Sequence, residues 1–278
     1  MSQEECNTSR KYYADSSSFL LVKLQVIYLL SINDVQERRA CLTSLPPEVF
    51  EAYELLLNRV SRGNQRFTFK ILSWILQAKR PLTIAEIREA IAVLDNMPEL
   101  PKELNEPQTI RECCQGLAVV NEDGTMALIH QTVGEFLRQQ HGKELLKSSD
   151  LAKVCVTYLG FDVFDQICDN GIAMLYRLDQ YRFSDYAAQY WSKHVNDSED
   201  VERVVDLEDA ILTTFKSFGK RESMEQIKQR DGGQHLYMTW HGKSLLHILI
   251  ENRLASIFMS PLGTATKMFL FSVFAHAN

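Results

Sequence analysis

Apolar positions recur at helical spacing along most of the chain, and the densest run of signals lies between Phe67 and Leu137. Phe67, Ile71, Trp74, Ile75 and Ala78 fall at i, i+4, i+7, i+8 and i+11. Phe69, Leu72 and Leu76 widen that arc until little polar surface remains, which predicts a buried helix from Phe67 to Ala78. Pro81 stops it. Thr83 then offers an N-cap, Glu86 completes a capping box, and Leu82 and Ile87 stand in staple register. The second helix runs to about Leu94 and buries Ile84, Ile87, Ile91 and Leu94. After a loop with Pro98, Pro101 and Pro107, Thr109 and Glu112 repeat the capping box; Ile110, Cys113, Cys114 and Leu117 share a face, and Gly116 suits the C-terminal stop. Leu117 to Val120 and Thr125 to Ile129 are β-prone runs joined by Asn121-Glu122-Asp123-Gly124, whose Asp-Gly pair supplies the positive φ angles of a tight hairpin. Thr132 with Glu135 caps a fourth helix carrying Phe136 and Leu137. Three helices, a hairpin and a helix give the order of a winged helix, which about seventy residues suffice to build.

The flanks are helical too. Leu20, Leu24, Ile27 and Leu30 follow helical spacing, Asp34 with Glu37 opens a second helix, and Leu45-Pro46-Pro47-Glu48 opens a third whose Val49, Tyr53, Leu56 and Val60 align until Gly63. Beyond the wing, Ser149-Asp150 caps a helix with Leu151, Val154, Cys155, Tyr158 and Leu159 on one face. An aromatic helix, Phe183 to His194, aligns Phe183, Tyr186, Tyr190, Trp191 and His194; another, from about Val201 to Phe218, uses Val201, Val204, Val205, Leu212 and Phe215. After Pro261 no helical register holds.

Several of these segments resemble one family. Leu76 to Ile87, with Ala78-Lys79-Arg80-Pro81-Leu82-Thr83 at its centre, and Ile129 to Leu137, with His130-Gln131-Thr132-Val133-Gly134-Glu135-Phe136-Leu137, resemble two turns of the winged helix that follows the NACHT ATPase in fungal ankyrin-repeat receptors of the signal-transducing NTPase (STAND) class. A closely similar segment is the GPI inositol-deacylase winged helix. Gly134 departs from that pattern and weakens a helix by about 1 kcal/mol relative to Ala. Phe19 to Gln25, Leu45 to Tyr53, Leu151 to Leu159 and Tyr186 to His194 are similar to flanking helices of the same family, and Gly242-Lys243-Ser244-Leu245-Leu246-His247 is similar to the start of one ankyrin repeat. The resemblance implies an NTPase ahead of residue 1 and further repeats behind, so the sequence reads as a truncated product.

Composition narrows the chemistry. The 278 residues are 45% hydrophobic and 24% charged, ordinary for a globular protein, and a net charge of -6 without a basic block argues against a dominant nucleic-acid surface. Six cysteines without Cys-x-x-Cys spacing point to a reducing, cytoplasmic setting, and the first eighteen residues are too polar for a secretory signal. Phe19 to Leu30 is too short, and carries Lys23, to span a membrane. Gly242-Lys243-Ser244 lacks the Gly five residues earlier that a phosphate loop needs, since Tyr237 stands there. His130 has no nucleophile or metal partner in a recognisable motif; His235, His241 and His247 are six apart and scatter around a helix; Cys113 and Cys114 read as core, as do Tyr186, Tyr190 and Trp191.

The fold expected is mainly α: a helical segment (1–62), a winged-helix domain (63–147), a helical domain (148–219), a linker with a partial ankyrin-like repeat (220–260) and an irregular apolar tail (261–278). The function expected is non-enzymatic: a regulatory and scaffolding segment that couples the absent NTPase to ankyrin repeats through protein contacts, with no catalytic, cofactor or metal residues and no bound nucleotide. The rival is a winged-helix DNA-binding protein. Against it, the third helix offers Gln108, Arg111, Glu112 and Gln115 after Glu103 and Glu106, and the wing tip carries Glu122 and Asp123, which would repel phosphates.

Overall fold

The computed structural model describes residues 19–95, 97–198, 201–229, 242–252 and 254, with the backbone alone for 201–205. They are mainly α. In chain order come α1 (19–30), α2 (Val35–Cys41), α3 (Val49–Leu57), α4 (Arg62–Gln77), β1 (Leu82–Thr83), α5 (Ile84–Ala92), α6 (Pro107–Cys113), β2 (Ala118–Val120), β3 (Thr125–Leu128) and α7 (Gln131–Gln140). There follow α8 (Ser148–Leu159), α9 (Gly171–Gln180), α10 (Ser184–Asn196), α11 (Val201–Lys216), α12 (Phe218–Gln229) and α13 (Leu245–Glu251). The described residues gather into two compact units, one drawn from those within 1–76 and 106–145, the other from those within 77–105 and 146–278.

In the first unit α3 packs on α7: Tyr53 and Phe136 are both buried, their ring centres 5.4 Å apart, and the Tyr53 hydroxyl lies 2.8 Å from Thr132 Oγ1. The hairpin pairs Ala118 with Leu128, Val119 with Ala127 and Val120 with Met126. Its turn differs from expectation in one respect: of Asp123 and Gly124 only Gly124 takes positive φ, at +79°, while Asp123 accepts hydrogen bonds from the Thr125 N–H and hydroxyl. One left-handed residue closes a four-residue loop around a type I turn, so the second is not needed. At the end of α6 the chain reverses through Gln115 and Gly116, at φ +48° and +80°; a Cβ on Gly116 would lie 2.9 Å from Ile27. Gly134 has a packing reason as well, since a Cβ there would come within 2.9 Å of Leu76 Cδ1.

Several boundaries move. α4 begins at Arg62, ahead of Phe67, and buries Thr68, Ile71, Leu72, Ser73 and Trp74, leaving Phe67 and Ile75 half-buried. α6 begins at Pro107, which pre-sets the first turn, so Thr109 is inside the helix and does not cap it. His130, not Thr132, caps α7, its side chain accepting from the Thr132 N–H. α8 starts at Ser148, with the Asp150 carboxylate accepting the Lys147 N–H. Leu94, expected in the core, is 60% exposed because α5 ends at Ala92.

In the second unit α8 is central, packing on α10, α11 and α5, while α12 packs on α10. Leu151, Cys155, Tyr158, Tyr186, Trp191, Ile211 and Phe215 are fully buried. The Trp191 and Phe215 rings lie 5.0 Å apart. α9 and α12 occupy stretches where the sequence pattern announced no helix. Val201, Val204 and Val205, expected on the buried face of α11, lie outside the side chains described, as do Cys6, His235 and His241.

Trp74 is 1% exposed. Trp74→Ala should cost about 3 to 5 kcal/mol, much of a domain's total of about 5 to 15, and chemical denaturation followed by circular dichroism should show a marginal or unfolded protein.

Candidate functional site

Polar side chains concentrate in the second unit where the turn before α5 meets the first turn of α10. Thr83 caps α5 and Glu86 returns a carboxylate to the Thr83 N–H, the reciprocal capping box expected from the sequence. Arg80 sits beside it. Its guanidinium donates to both Glu86 oxygens, at 2.6 and 3.2 Å, and to Asp185 Oδ2 at 3.0 Å, while its flat face lies 5.3 Å from the Tyr186 ring centre. The paired carboxylates raise the affinity of this guanidinium for its proton despite the cost of burial.

A second chain of hydrogen bonds runs from the same turn. The Lys79 N–H donates to the Tyr186 hydroxyl at 2.9 Å, and that hydroxyl lies 2.8 Å from His194 Nε2. Burial, helped by the Lys79 charge, pushes the His194 imidazole down to about 4, so at neutral pH it is uncharged and shares a hydrogen bond with the Tyr186 hydroxyl through Nε2. The Lys79 ammonium pairs with Asp197.

One turn further along α5, Glu89 is 5% exposed. Its Oε1 accepts the Arg182 N–H and its Oε2 the Phe183 N–H and the Tyr158 hydroxyl. Desolvation raises the affinity of Glu89 for its proton and the three donors oppose that rise. Burial likewise raises the Tyr158 hydroxyl. Each of these groups is engaged by another side chain or by backbone.

The other candidates are also spent on structure. His130 Nδ1 lies 2.9 Å from Thr132 Oγ1 in the α7 cap. His141, not singled out by its sequence position, lies 2.8 Å from Glu54 Oε2. Ser244 caps α13, and Lys243 donates to Glu225 and Glu251 at 2.9 and 2.8 Å, which occupies the ammonium a phosphate loop would use. Cys113 and Cys114 are buried, burial pushing the Cys114 thiol up to about 12. Tyr186 and Trp191 are core and Tyr190 is half-buried. Among the described residues no group of three or more His, Cys, Asp or Glu could hold a metal, and no helix is long and apolar enough to cross a membrane. A cleft of about 570 Å³ in the second unit sets Lys153 and Lys220 beside Asp206 and Asp209, with Lys153 held by Asp95 at 2.8 Å. On α6, Gln108 donates to Glu112, and Arg111 is exposed.

Comparison with known proteins agrees with this architecture. Residues 56–153 match the family described as GPI inositol-deacylase, winged helix domain. That segment is similar to winged helices of the GPI inositol-deacylase type. The chain is also similar to the azaphilone pigments biosynthesis cluster protein L of Monascus ruber, 27% identical over 179 residues, which cover 57% of this chain and 37% of that protein. The chain thus spans little more than a third of that relative's length. No solved structure matches.

Two substitutions test the junction. Tyr158→Phe removes a hydrogen bond to a buried carboxylate and should cost about 1.5 to 3 kcal/mol, read as a lower urea midpoint at unchanged slope. His194 titrates below its ordinary value of 6.5 in the fold, so its contribution is complete above about pH 6.5 and is lost as pH falls towards 4. Over that interval the wild type should lose on the order of 3 kcal/mol that His194→Gln does not lose, measured by urea denaturation at each pH.

Proposed function

We propose that the chain is a non-enzymatic regulatory and scaffolding segment of a receptor that combines a NACHT-type NTPase with ankyrin repeats, working through protein–protein contacts. One observation carries the reading. The polar residues of the two family-like motifs, Lys79 to Thr83 and Tyr186 to His194, together with Asp185 just ahead of the second, meet each other and hold helices together: Arg80 on Asp185, the Lys79 N–H on Tyr186, Tyr186 on His194. Side chains arranged for chemistry would converge on an open space; these converge on backbone and on one another. Such an element transmits position.

Exposed apolar rows support contacts with other protein. Ile172, Leu175 and Tyr176 on α9 are 59 to 81% exposed at i, i+3 and i+4, more contiguous apolar surface than one helix of a self-contained domain usually shows. The match of residues 56–153 to a winged-helix family supports the winged-helix part of this reading, and the free cysteines, among them Cys41 and the buried Cys113, Cys114, Cys155 and Cys168, support a cytoplasmic setting.

Mg-ATP or Mg-GTP should leave the melting temperature of the chain unchanged, whereas a ligand at a hundred times its Kd would add about 2.7 kcal/mol. A saturable rise in melting temperature would overturn the non-enzymatic reading. Duplex DNA at low salt should not bind; tight binding that weakens steeply with salt and is lost on Arg111→Ala would favour the DNA-binding alternative.

A further inference from the structure

From Leu55 to Ala85 the chain carries six Lys or Arg and not one Asp or Glu, although the protein as a whole is acidic. Three of the six are spent on contacts inside the fold. Arg59 donates to the Ser31 carbonyl and lies over the Tyr28 ring, where the Glu37 charge is also felt; Lys79 pairs with Asp197; Arg80 holds Glu86 and Asp185. The other three, Arg62, Arg66 and Lys70, stand at i, i+4 and i+8 from the first residue of α4, so they share one face. Arg62 and Arg66 are exposed and Lys70 is half-buried, and among the described residues no carboxylate pairs with any of them. Glu54, which neighbouring side chains bring towards this helix, is taken: His141, its ring 5.3 Å from that of Phe69, holds it at 2.8 Å, and Asn58 donates to it at 3.3 Å. The row therefore costs the isolated protein stability. Like charges four apart on a helix repel, and cations at its start oppose the positive end of the dipole. Burial and the Arg66 charge both loosen the proton of Lys70, and no anion offsets them.

We propose that the row Arg62, Arg66 and Lys70 is a docking surface for an acidic segment of a partner protein, which rests on the protein-contact reading above and deepens it by naming the chemistry of the partner. Eight residues of helix rise about 12 Å, so the three charges draw a line that a run of carboxylates follows and a single phosphate does not span. A nucleic-acid duplex or an anionic membrane reaches further than the line. It would meet the exposed carboxylates of the same unit as well, Glu48 and Glu51 at the start of α3 and Glu122 and Asp123 at the wing tip, and like charges set against each other suppress such partners. A short acidic segment touches the row alone.

Fluorescence anisotropy of a labelled decaglutamate peptide with the full chain tests this at about 20 mM salt, where exposed charges are little screened. Binding should saturate and weaken as salt is added. Arg62→Glu with Arg66→Glu should weaken it at least about tenfold, since two attractions are lost and two repulsions gained. Lys102→Glu with Lys193→Glu, the same change of charge on exposed residues of the second unit, should leave it within about twofold. Arg62→Glu alone gives a reading without any ligand. It sets an acid at the start of α4, four residues ahead of Arg66, and should raise the melting temperature by about 1 to 4 °C. Absence of saturable binding, equal weakening by the two double variants, or a lowered melting temperature in Arg62→Glu would overturn the proposal. So would displacement of the peptide by inorganic phosphate beyond that by chloride of equal ionic strength, the mark of a small-anion site, or tighter binding of duplex DNA to the same row. The wider non-enzymatic reading fails separately, on a rise in melting temperature with Mg-ATP or Mg-GTP.

Discussion

The second unit depends on two carboxylates of α5 that water does not reach. Glu86 is 6% exposed and Glu89 5%, and both lie on the side of α5 away from Ile84, Ile87 and Ile91. A helix with isoleucines on one face and glutamates on the other ordinarily turns the glutamates to solvent. Here that face is covered by α8 and the start of α10, and burial is tolerable only because every carboxylate oxygen finds a donor. Glu86 takes Arg80 and the cap; Glu89 takes Tyr158 and two backbone N–H groups just ahead of α10. Removing a donor leaves a buried carboxylate short of partners, which costs more than the hydrogen bond itself contributes. The junction is thus specific as well as stable: a helix that slid by one residue would leave charges unmatched.

This also explains which parts of the fold could be read from the sequence. The order of helices and hairpin was legible because it rests on local rules: Thr83 with Glu86, Asp34 ahead of Gln36 and Glu37, Gly116 and Gly124 at positive φ. The N-caps expected at Thr109, Thr132 and Ser149 fall two or three residues earlier, at Glu106, His130 and Lys147, because more than one nearby group can fix a first turn: Pro107 pre-sets that of α6, the His130 side chain caps α7, and Asp150 reaches back to the Lys147 N–H. The structural role of Arg80 was visible only as a motif, since Asp185, which holds it, is a hundred residues away in the chain. Glu89 gave no signal, because nothing local marks a glutamate as buried. α9 and α12 were missed for opposite reasons: α9 exposes Ile172, Leu175 and Tyr176, which blurs its apolar stripe, and α12 buries Glu222, Ser223 and Glu225 beside Met224 and Ile227, so its inward face does not look apolar.

The same physics bears on what kind of protein this is. A catalytic group must keep a free valence towards its substrate, and an enzyme commonly holds it in a cleft with its proton affinity tuned to the working pH. The strongly perturbed groups here are perturbed by burial within helix packing: Cys114 and Tyr158 pushed up, His194 pushed down. Each is held in its neutral form, and neutral buried groups make good joints. They carry no charge to solvate, and their hydrogen bonds have fixed direction.

Joints of that kind suit the role proposed for this segment. Arg80 links the turn before α5 to α10 by charge-assisted bonds and a ring face, while the Lys79 N–H, Tyr186 and His194 make a parallel neutral link over the same gap. The two links differ in what weakens them. Salt screens the partly exposed Arg80 and Asp185 pair but leaves the buried Tyr186 bonds almost untouched, and acid does the reverse by protonating His194. A turn tied to a helix in both ways moves with it as one body under either change alone.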